Sequence, residues 1–296
     1  AKIMLVEALN AKGLQLASTD DIKEIAEAIE LLELGGSGDG SGGGEVNDEL
    51  FQFYLDFYNA KQETSSPTFT FPRGVTSVGN AMFKDLTNVV RVVLTPDITT
   101  IQQRAFENSN VGHVEGGNIE TIAPYAFNKA TSLKTIDLSK VKTIRSSGMN
   151  GCTNFTNNDT NVLHLPEVTS LGTSALSGMK LQQVYLPKIV TLDTYCLGNM
   201  PNLEYVEIGS NIESINSHTF DNSKNLDTLK IDLPKESIEV PDNRWGAPTV
   251  ITILWQGESL DDIVGSGLPC TYEVLPVEGA SYGFELNADG YYESTN

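Results

Sequence analysis

What this 296-residue chain lacks excludes several classes of protein. Its three cysteines are too few for the disulfide framework of a small secreted domain. No apolar run approaches the roughly 20 residues that a membrane-spanning helix needs. The first nine residues, AKIMLVEAL, do not form a secretory signal, since no small-residue cleavage site follows an apolar core of sufficient length. We therefore expect no membrane insertion and no secretion through a signal in this sequence.

Basic residues are also scarce. The chain has 19 Lys and Arg against 39 Asp and Glu, a formal net charge of −20. A nucleic acid or an anionic lipid surface would be repelled rather than attracted by such a chain. We expect no nucleic-acid partner, and we interpret the acidity as a means of keeping an exposed protein soluble.

Catalytic motifs are missing as well. The sequence contains no HExxH, no GxSxG, no phosphate-binding loop of the Walker type and no CxxC pair. His113, His164 and His218 stand at different positions of the repeat described below, so stacking of repeats would not gather them. We predict a protein that is not an enzyme, with no catalytic residue, no metal site and no cofactor.

What the chain does have is a unit of 21 to 27 residues that recurs seven times between Val75 and about Pro234. Each unit has an aliphatic anchor, then four residues later a slot that is small in six of the seven units, then a large apolar residue. The anchors are Val78, Ile101, Ile122, Ile144, Leu171, Leu192 and Ile215, and the large residues are Phe83, Phe106, Phe127, Met149, Leu176, Leu197 and Phe220. Such units bury their apolar positions by stacking on their neighbours, which predicts a mainly β repeat solenoid. The register also places Cys152 and Cys196 at packing positions, so we predict both thiols to be buried.

The repeat resembles a known one. The units ETIAPYAFNKATSLKTIDLSKV and TTIQQRAFEN are similar to the IxxIxxxAFxxCxxLxxIxLPxxV repeat of the BspA-like leucine-rich repeat proteins, a class of bacterial surface proteins and relatives. The resemblance implies the architecture and an adhesive or recognition scaffold. It does not by itself assign an activity, because one fold serves many functions.

Two units depart from the pattern. The unit after Ile101 has Asn110, Gly112, Gly116 and Gly117 where a strand should run. The unit after Ile144 has a polar insertion, Asn154 to Asn161, which we expect to form a turn or loop on one face.

The chain on the N-terminal side of the repeats predicts a small α-helical module. Residues 2–10 and 20–34 have the spacing of two helices, and Ser18 to Asp20 can cap the second helix. A module of this size cannot bury its own apolar stripe, which favours an element for assembly or attachment. The alternative is that it folds back on the solenoid as a cap.

The predicted organisation has six parts. They are the N-terminal helical module 1–34, a Gly- and Ser-rich linker 35–46, an N-terminal cap 47–74 with an aromatic helix over Asn47 to Lys61, the solenoid 75–234, a C-terminal cap 235–265 with a strand pair around Trp245 and Trp255, and a β module or tail 266–296 with a strand over Cys270 to Leu275. We predict that the period of the repeat stops after Pro234.

The two flanks resemble virion proteins. The last stretch, GFELNADGYYESTN, is similar to the opening of β-sandwich modules at the ends of bacteriophage proteins, and residues 1–34 resemble helical elements of phage head and tail appendages. These resemblances imply an appendage in the virion, attached to other virion proteins through Ala1 to Leu34, with self-association left open. The alternative is a bacterial cell-surface adhesin of the BspA type, and a more distant one is a carbohydrate-active enzyme.

The repeats also predict a surface. Side chains alternate along a strand, so positions between buried residues face outward and stack into columns. One column contains Val93, Asp137, His164, Tyr185, Glu207 and Lys230, and its neighbour contains Arg91, Thr135, Val162, Gln183, Tyr205 and Thr228. We predict a binding patch for a host surface glycan or protein at His164, Gln183, Tyr185, Tyr205 and Glu207. The alternative is a solvated sheet face without a partner.

Overall fold

The computed structural model describes residues 68–156 and 160–233, and four further strands, Val250–Trp255, Thr271–Pro276, Phe284–Leu286 and Tyr292–Ser294. The chain divides into two units, 1–59 and 60–296, and all described residues belong to the second. The predicted N-terminal helices, the linker, the aromatic cap helix and Cys270 lie outside the described residues. No helix occurs among the residues that are described.

The anchors of the repeat form one parallel sheet. Seven two-residue strands pair side by side, and each anchor is the second residue of its strand. The strands are β2 (Ser77–Val78), β4 (Thr100–Ile101), β6 (Thr121–Ile122), β7 (Thr143–Ile144), β9 (Ser170–Leu171), β11 (Thr191–Leu192) and β13 (Ser214–Ile215). Every anchor pairs with the anchors before and after it, as in Ile101 with Ile122. The predicted solenoid and its register are confirmed over these seven turns.

A second set of parallel strands, separate from the anchor strands, forms two further sheets. The first sheet contains β1 (Thr68–Thr70), β3 (Arg91–Leu94) and β5 (His113–Gly116). The second contains β8 (Val162–His164), β10 (Gln183–Leu186), β12 (Tyr205–Ile208), β14 (Thr228–Leu233), β15 (Val250–Trp255) and β16 (Thr271–Pro276). A separate antiparallel pair joins β17 (Phe284–Leu286) to β18 (Tyr292–Ser294).

Two of these strands lie beyond Pro234. The register pairs Asp232 with Leu254 and Val250 with Thr271. These steps match the spacing of the repeat, although the sequence there lacks the small slot and the large apolar residue. The parallel sheet therefore continues past Pro234, and Val250–Trp255 pairs with β14 and β16. The other part of the strand pair predicted around Trp245 and Trp255, at Trp245, lies outside the described residues.

The core is built from equivalent residue positions that stack from one turn to the next. The residue four positions after each anchor is buried in all seven turns, and the large apolar residue that follows has no exposed surface in any of them. The rings of Phe83, Phe106 and Phe127 stack face to face with centroids 4.9 Å apart at each step. Each turn thus covers the apolar face of the next, so no turn has a core of its own.

The turn after each anchor has a fixed backbone geometry that the repeat pattern does not predict. Two residues in every turn, three and seven positions after the anchor, have a left-handed backbone conformation. The first set is Ala81, Arg104, Tyr125, Ser147, Ser174, Tyr195 and His218, with φ between 52° and 60°. The second is Asp85, Asn108, Lys129, Gly151, Gly178, Asn199 and Asn222, with φ between 55° and 77°. Only the second set is rich in the Asn, Asp and Gly that favour this conformation.

Hydrogen bonds between turns hold these residues in place. In the turn after Ile122, the N–H groups of Tyr125, Phe127 and Lys129 donate to carbonyls of Ser146, Gly148 and Asn150 in the next turn, at 3.0, 2.7 and 2.7 Å. The intervening residues bond within their own turn, as Ala126 N–H does to the Ala123 carbonyl. Along this segment, successive amides therefore bond alternately to the neighbouring turn and to their own turn. This arrangement provides acceptors for the buried backbone N–H groups.

The structure corrects one of the two irregular units. A strand does run after Ile101, as β5, and Gly116 is its last residue, where a Cβ would stand 2.4 Å from the Leu94 carbonyl oxygen. In the regular unit after Ile122, the alternation of apolar residues predicts a strand over Leu133 to Leu138, but the structure has only a single bridge there, between His113 and Thr135. The Asp137 carboxylate accepts the Ser139 N–H at 2.9 Å, a turn of the Asx type that ends the extended segment.

The two repeat cysteines are buried and free, as predicted. The Cys152 thiol donates to the Phe127 carbonyl oxygen at 3.2 Å. Burial raises the pKa of both thiols well above the usual range, so each remains protonated and inert at neutral pH.

We predict that Phe127→Ala lowers the free energy of unfolding by about 3–5 kcal/mol, because it empties a fully buried slot between two turns. Phe127→Leu is the matched control, since Leu176 and Leu197 fill the same slot in other turns, and it should cost less than about 1.5 kcal/mol. Urea unfolding measures both. An alanine variant as stable as the leucine variant would contradict the stacked core.

We also predict that Gly178 tolerates asparagine better than valine. Its φ is +77°, and the nearest atom to an added Cβ, the Gly151 Cα, is 3.6 Å away, so backbone conformation rather than space limits substitution. Asn199 adopts the same conformation one turn later. Gly178→Val should lower stability by more than about 1 kcal/mol and Gly178→Asn by less. Equal urea midpoints for the two variants would show that the left-handed conformation is not required.

Candidate recognition surface

The predicted binding residues lie on adjacent strands of the second sheet. Gln183 in β10 pairs with Val162 on one side and Tyr205 on the other, and Tyr185 pairs with His164 and Glu207. The residues between them, Val184 and Val206, are fully buried. The strand phase is therefore as predicted, and the five candidates, with Lys230, face away from the core. We call these six residues, His164, Gln183, Tyr185, Tyr205, Glu207 and Lys230, the tyrosine patch.

Three rings of the patch contact one another. The His164 and Tyr185 rings are stacked, with centroids 4.5 Å apart and planes 15° from parallel. The Tyr185 and Tyr205 rings are tilted by 43° at 5.5 Å. These are favourable aromatic geometries.

Both tyrosine hydroxyls are held by acceptors on the same strand. The Tyr185 hydroxyl donates to Gln183 Oε1 at 3.0 Å, and the Tyr205 hydroxyl donates to Glu207 Oε2 at 2.7 Å. The other Glu207 oxygen accepts from Lys230 Nζ at 3.1 Å. Partial burial, the hydrogen bond to Glu207 and its charge together raise the pKa of Tyr205 well above its ordinary value. The hydroxyl therefore remains a proton donor throughout the physiological pH range.

The patch is a preorganised surface. His164 is exposed, and the other five side chains are half-buried against one another. Stacking and hydrogen bonds fix their rotamers before any partner arrives, so less side-chain entropy is lost on binding. Nothing in the repeat requires aromatic residues here, because Thr135 and Thr228 fill the Tyr205 position in other turns.

The predicted columns are not continuous. Strand pairing connects His164 to Tyr185 and onward to Lys230, but no pairing connects Asp137 to His164. The other half of the face is charged: Arg91 and Glu115 form an ion pair at 2.8 Å, and His113 Nδ1 lies 2.9 Å from Thr135 Oγ1. The predicted columns omit His113 and Glu115, because the glycines of their unit indicate that it lacks a strand. The apolar Val114 between these two polar residues is the sequence signal of a strand here, and the structure buries it.

The three histidines occupy separate places. His113 lies in the first sheet and His164 in the second, while His218 lies in a turn, with Nδ1 2.9 Å from an Asp221 carboxylate oxygen. Over the ranges 68–156 and 160–230, no three His, Cys, Asp or Glu side chains come together in a way that could hold a metal ion. Within the part of the chain that the structure describes, no helix has the length and hydropathy of a membrane span.

Comparison with known proteins identifies similar repeats. A sequence model described as the BspA type Leucine rich repeat region, in six copies, matches residues 57–162 and 139–243. The similar solved structures include a leucine-rich repeat protein from Bacteroides ovatus. It is 13% identical, with 70% of this chain and 62% of that chain covered and a TM-score of 0.34. A leucine rich cell surface protein from Faecalibacterium prausnitzii is 16% identical, with 70% and 63% covered and a TM-score of 0.33.

The third similar structure is the pneumococcal vaccine antigen PcpA, 14% identical, with 73% of this chain and 91% of that chain covered and a TM-score of 0.31. The chain spans less than two thirds of the length of the first two structures. No curated protein sequence matches the chain.

Proposed function

The chain belongs to the BspA-type leucine-rich repeat family, and from that premise we propose that it is a non-enzymatic recognition protein of the cell surface that binds a protein partner through the tyrosine patch. The proposed cell-surface location rests on the family, which is a class of bacterial surface proteins and relatives. The observation that supports a partner is the fixed cluster of Tyr185, Tyr205 and Glu207 on an outward sheet face.

The geometry favours a protein over a glycan at this patch. A sugar ring stacks on an open aromatic face, and the stack of His164 on Tyr185 already occupies one face of each ring. Tyrosine rings with carboxamide and carboxylate acceptors beside them have the mixed apolar and polar character of a protein interface core. The patch also spans four adjacent strands, from β8 to β14, which is the extended form of a protein contact rather than a pocket.

The predicted role in a bacteriophage particle is not part of this proposal. It rested on resemblances of the two flanks, and the family match begins at residue 57 and ends at residue 243. Residues 1–34, through which attachment to a virion was expected, lie outside the described residues. The cell-surface alternative agrees with the family, and the virion location gains no support from it.

The experiment compares a double variant, Tyr185→Ala with Tyr205→Ala, to the parent on a panel of purified extracellular proteins and on a glycan array. We expect the parent to bind a protein of the panel and the double variant to lose most of that affinity, since interface tyrosines contribute strongly. Stability should fall by only about 1 kcal/mol per substitution, because both side chains are half-buried.

The matched control is Arg91→Ala with Glu115→Ala, which removes an exposed ion pair from the other half of the same face. It should bind like the parent. If the parent binds only glycans, the class of partner proposed for the patch is wrong. If the tyrosine variant binds like the parent, the recognition surface lies elsewhere on the protein.

A further inference from the structure

Two phenol rings from successive turns meet in the tyrosine patch. Tyr185 lies in β10 and Tyr205 in β12, and their ring centroids are 5.5 Å apart with the planes tilted by 43°. The parallel pairing of the two strands, which sets Gln183 opposite Tyr205, fixes the backbones that hold the rings. Both side chains are half-buried, so each ring also reaches solvent.

The two hydroxyls differ in the group that accepts their proton. The Tyr205 hydroxyl donates to a Glu207 carboxylate oxygen at 2.7 Å, the short distance of a charge-assisted hydrogen bond. The Tyr185 hydroxyl donates to the Gln183 carboxamide oxygen at 3.0 Å. A carboxylate is a base and a carboxamide is not, so only the first of these bonds leads to a group that can keep the proton.

This difference matters when a phenol ring loses an electron. The ring then becomes a strong acid, and its oxidation is easiest where the proton passes at once to a base that is already hydrogen-bonded. Glu207 is such a base for Tyr205. Oxidation of the pair should therefore begin at Tyr205, with Tyr185 as the ring beside the radical.

From these observations we propose that Tyr185 and Tyr205 form an intramolecular dityrosine bond when the protein meets a peroxide and a haem peroxidase. Each phenol loses one electron and one proton, with the Tyr205 proton passing to Glu207 and the Tyr185 proton to water. The two radicals join through the ring carbons next to the hydroxyls, and the hydrogen on each of these carbons moves to its oxygen. Both phenols are thereby restored. One peroxide molecule takes up the two electrons and two protons and leaves as two water molecules.

The bond joins two successive turns covalently. The cysteines of the described turns do not provide such a link, because Cys152 and Cys196 are buried free thiols. The reaction requires no partner at the patch, so the inference does not depend on the proposed function.

The test exposes the full chain to a haem peroxidase with hydrogen peroxide. A second sample receives light, a ruthenium tris-bipyridine complex and persulfate, which oxidise by electron transfer without an enzyme. Trypsin places Tyr185 in the peptide 181–188 and Tyr205 in the peptide 189–224. We expect these two peptides to be linked, with a mass lower than their sum by two hydrogen atoms, in protein that keeps the size of a monomer. Fragmentation should place the bond at Tyr205 rather than at Tyr195.

Three variants test the roles of the residues. Tyr185→Phe and Tyr205→Phe keep the ring and should each abolish the link. Glu207→Gln keeps an acceptor for the Tyr205 hydroxyl but removes the base. It should slow formation of the link at least about tenfold, because a positioned base typically contributes a larger factor and water replaces it only in part.

Tyr195→Phe is the matched control, because it removes a hydroxyl from a ring that stacks on His218 rather than on a tyrosine. It should leave the yield of the link unchanged. The proposal is overturned if neither oxidant links the two peptides, if the link forms only between separate copies of the chain, or if Glu207→Gln reacts as fast as the parent. Unchanged melting temperatures before oxidation confirm that each variant is folded.

Discussion

The fold depends on the hydrogen bonds that pass between turns at the left-handed residues. Tyr125 and its equivalents have a backbone conformation that costs an L-residue roughly 1–2 kcal/mol, and in six of the seven turns the N–H of this residue donates to a carbonyl of the next turn. The same geometry directs the following small and large side chains inward, where Phe127 stacks on Phe106. Backbone bonding between turns and core stacking are therefore one constraint, repeated along the chain.

This constraint leaves the outward strand face free to vary. Inward positions such as Val184 and Val206 are fixed by packing, and the backbone is satisfied by the neighbouring turns. The residues between them have no structural requirement, and a cluster such as Tyr185 with Tyr205 is informative for that reason.

Periodicity alone was sufficient to predict the anchors, the buried slots and the strand phase of the patch, because each of these repeats along the sequence. It failed where local chemistry departs from the repeat. The glycines predict that no strand runs at Gly116, yet Gly116 is the last residue of β5, and the gap after Thr135 depends on how an insertion pairs rather than on any pattern. The left-handed residues at Ala81 and Tyr125 have no compositional signal, whereas those at Asn108 and Asn199 do.

The most direct test of this account is a measurement of scalar couplings across hydrogen bonds by NMR, which identifies the acceptor of each amide. The account predicts a coupling from the amide nitrogen of Phe127 to the carbonyl carbon of Gly148, and from Met149 to Ala175, each one turn away. Couplings from these amides to carbonyls within their own turn would contradict it, because the turns would then not be joined through their backbones.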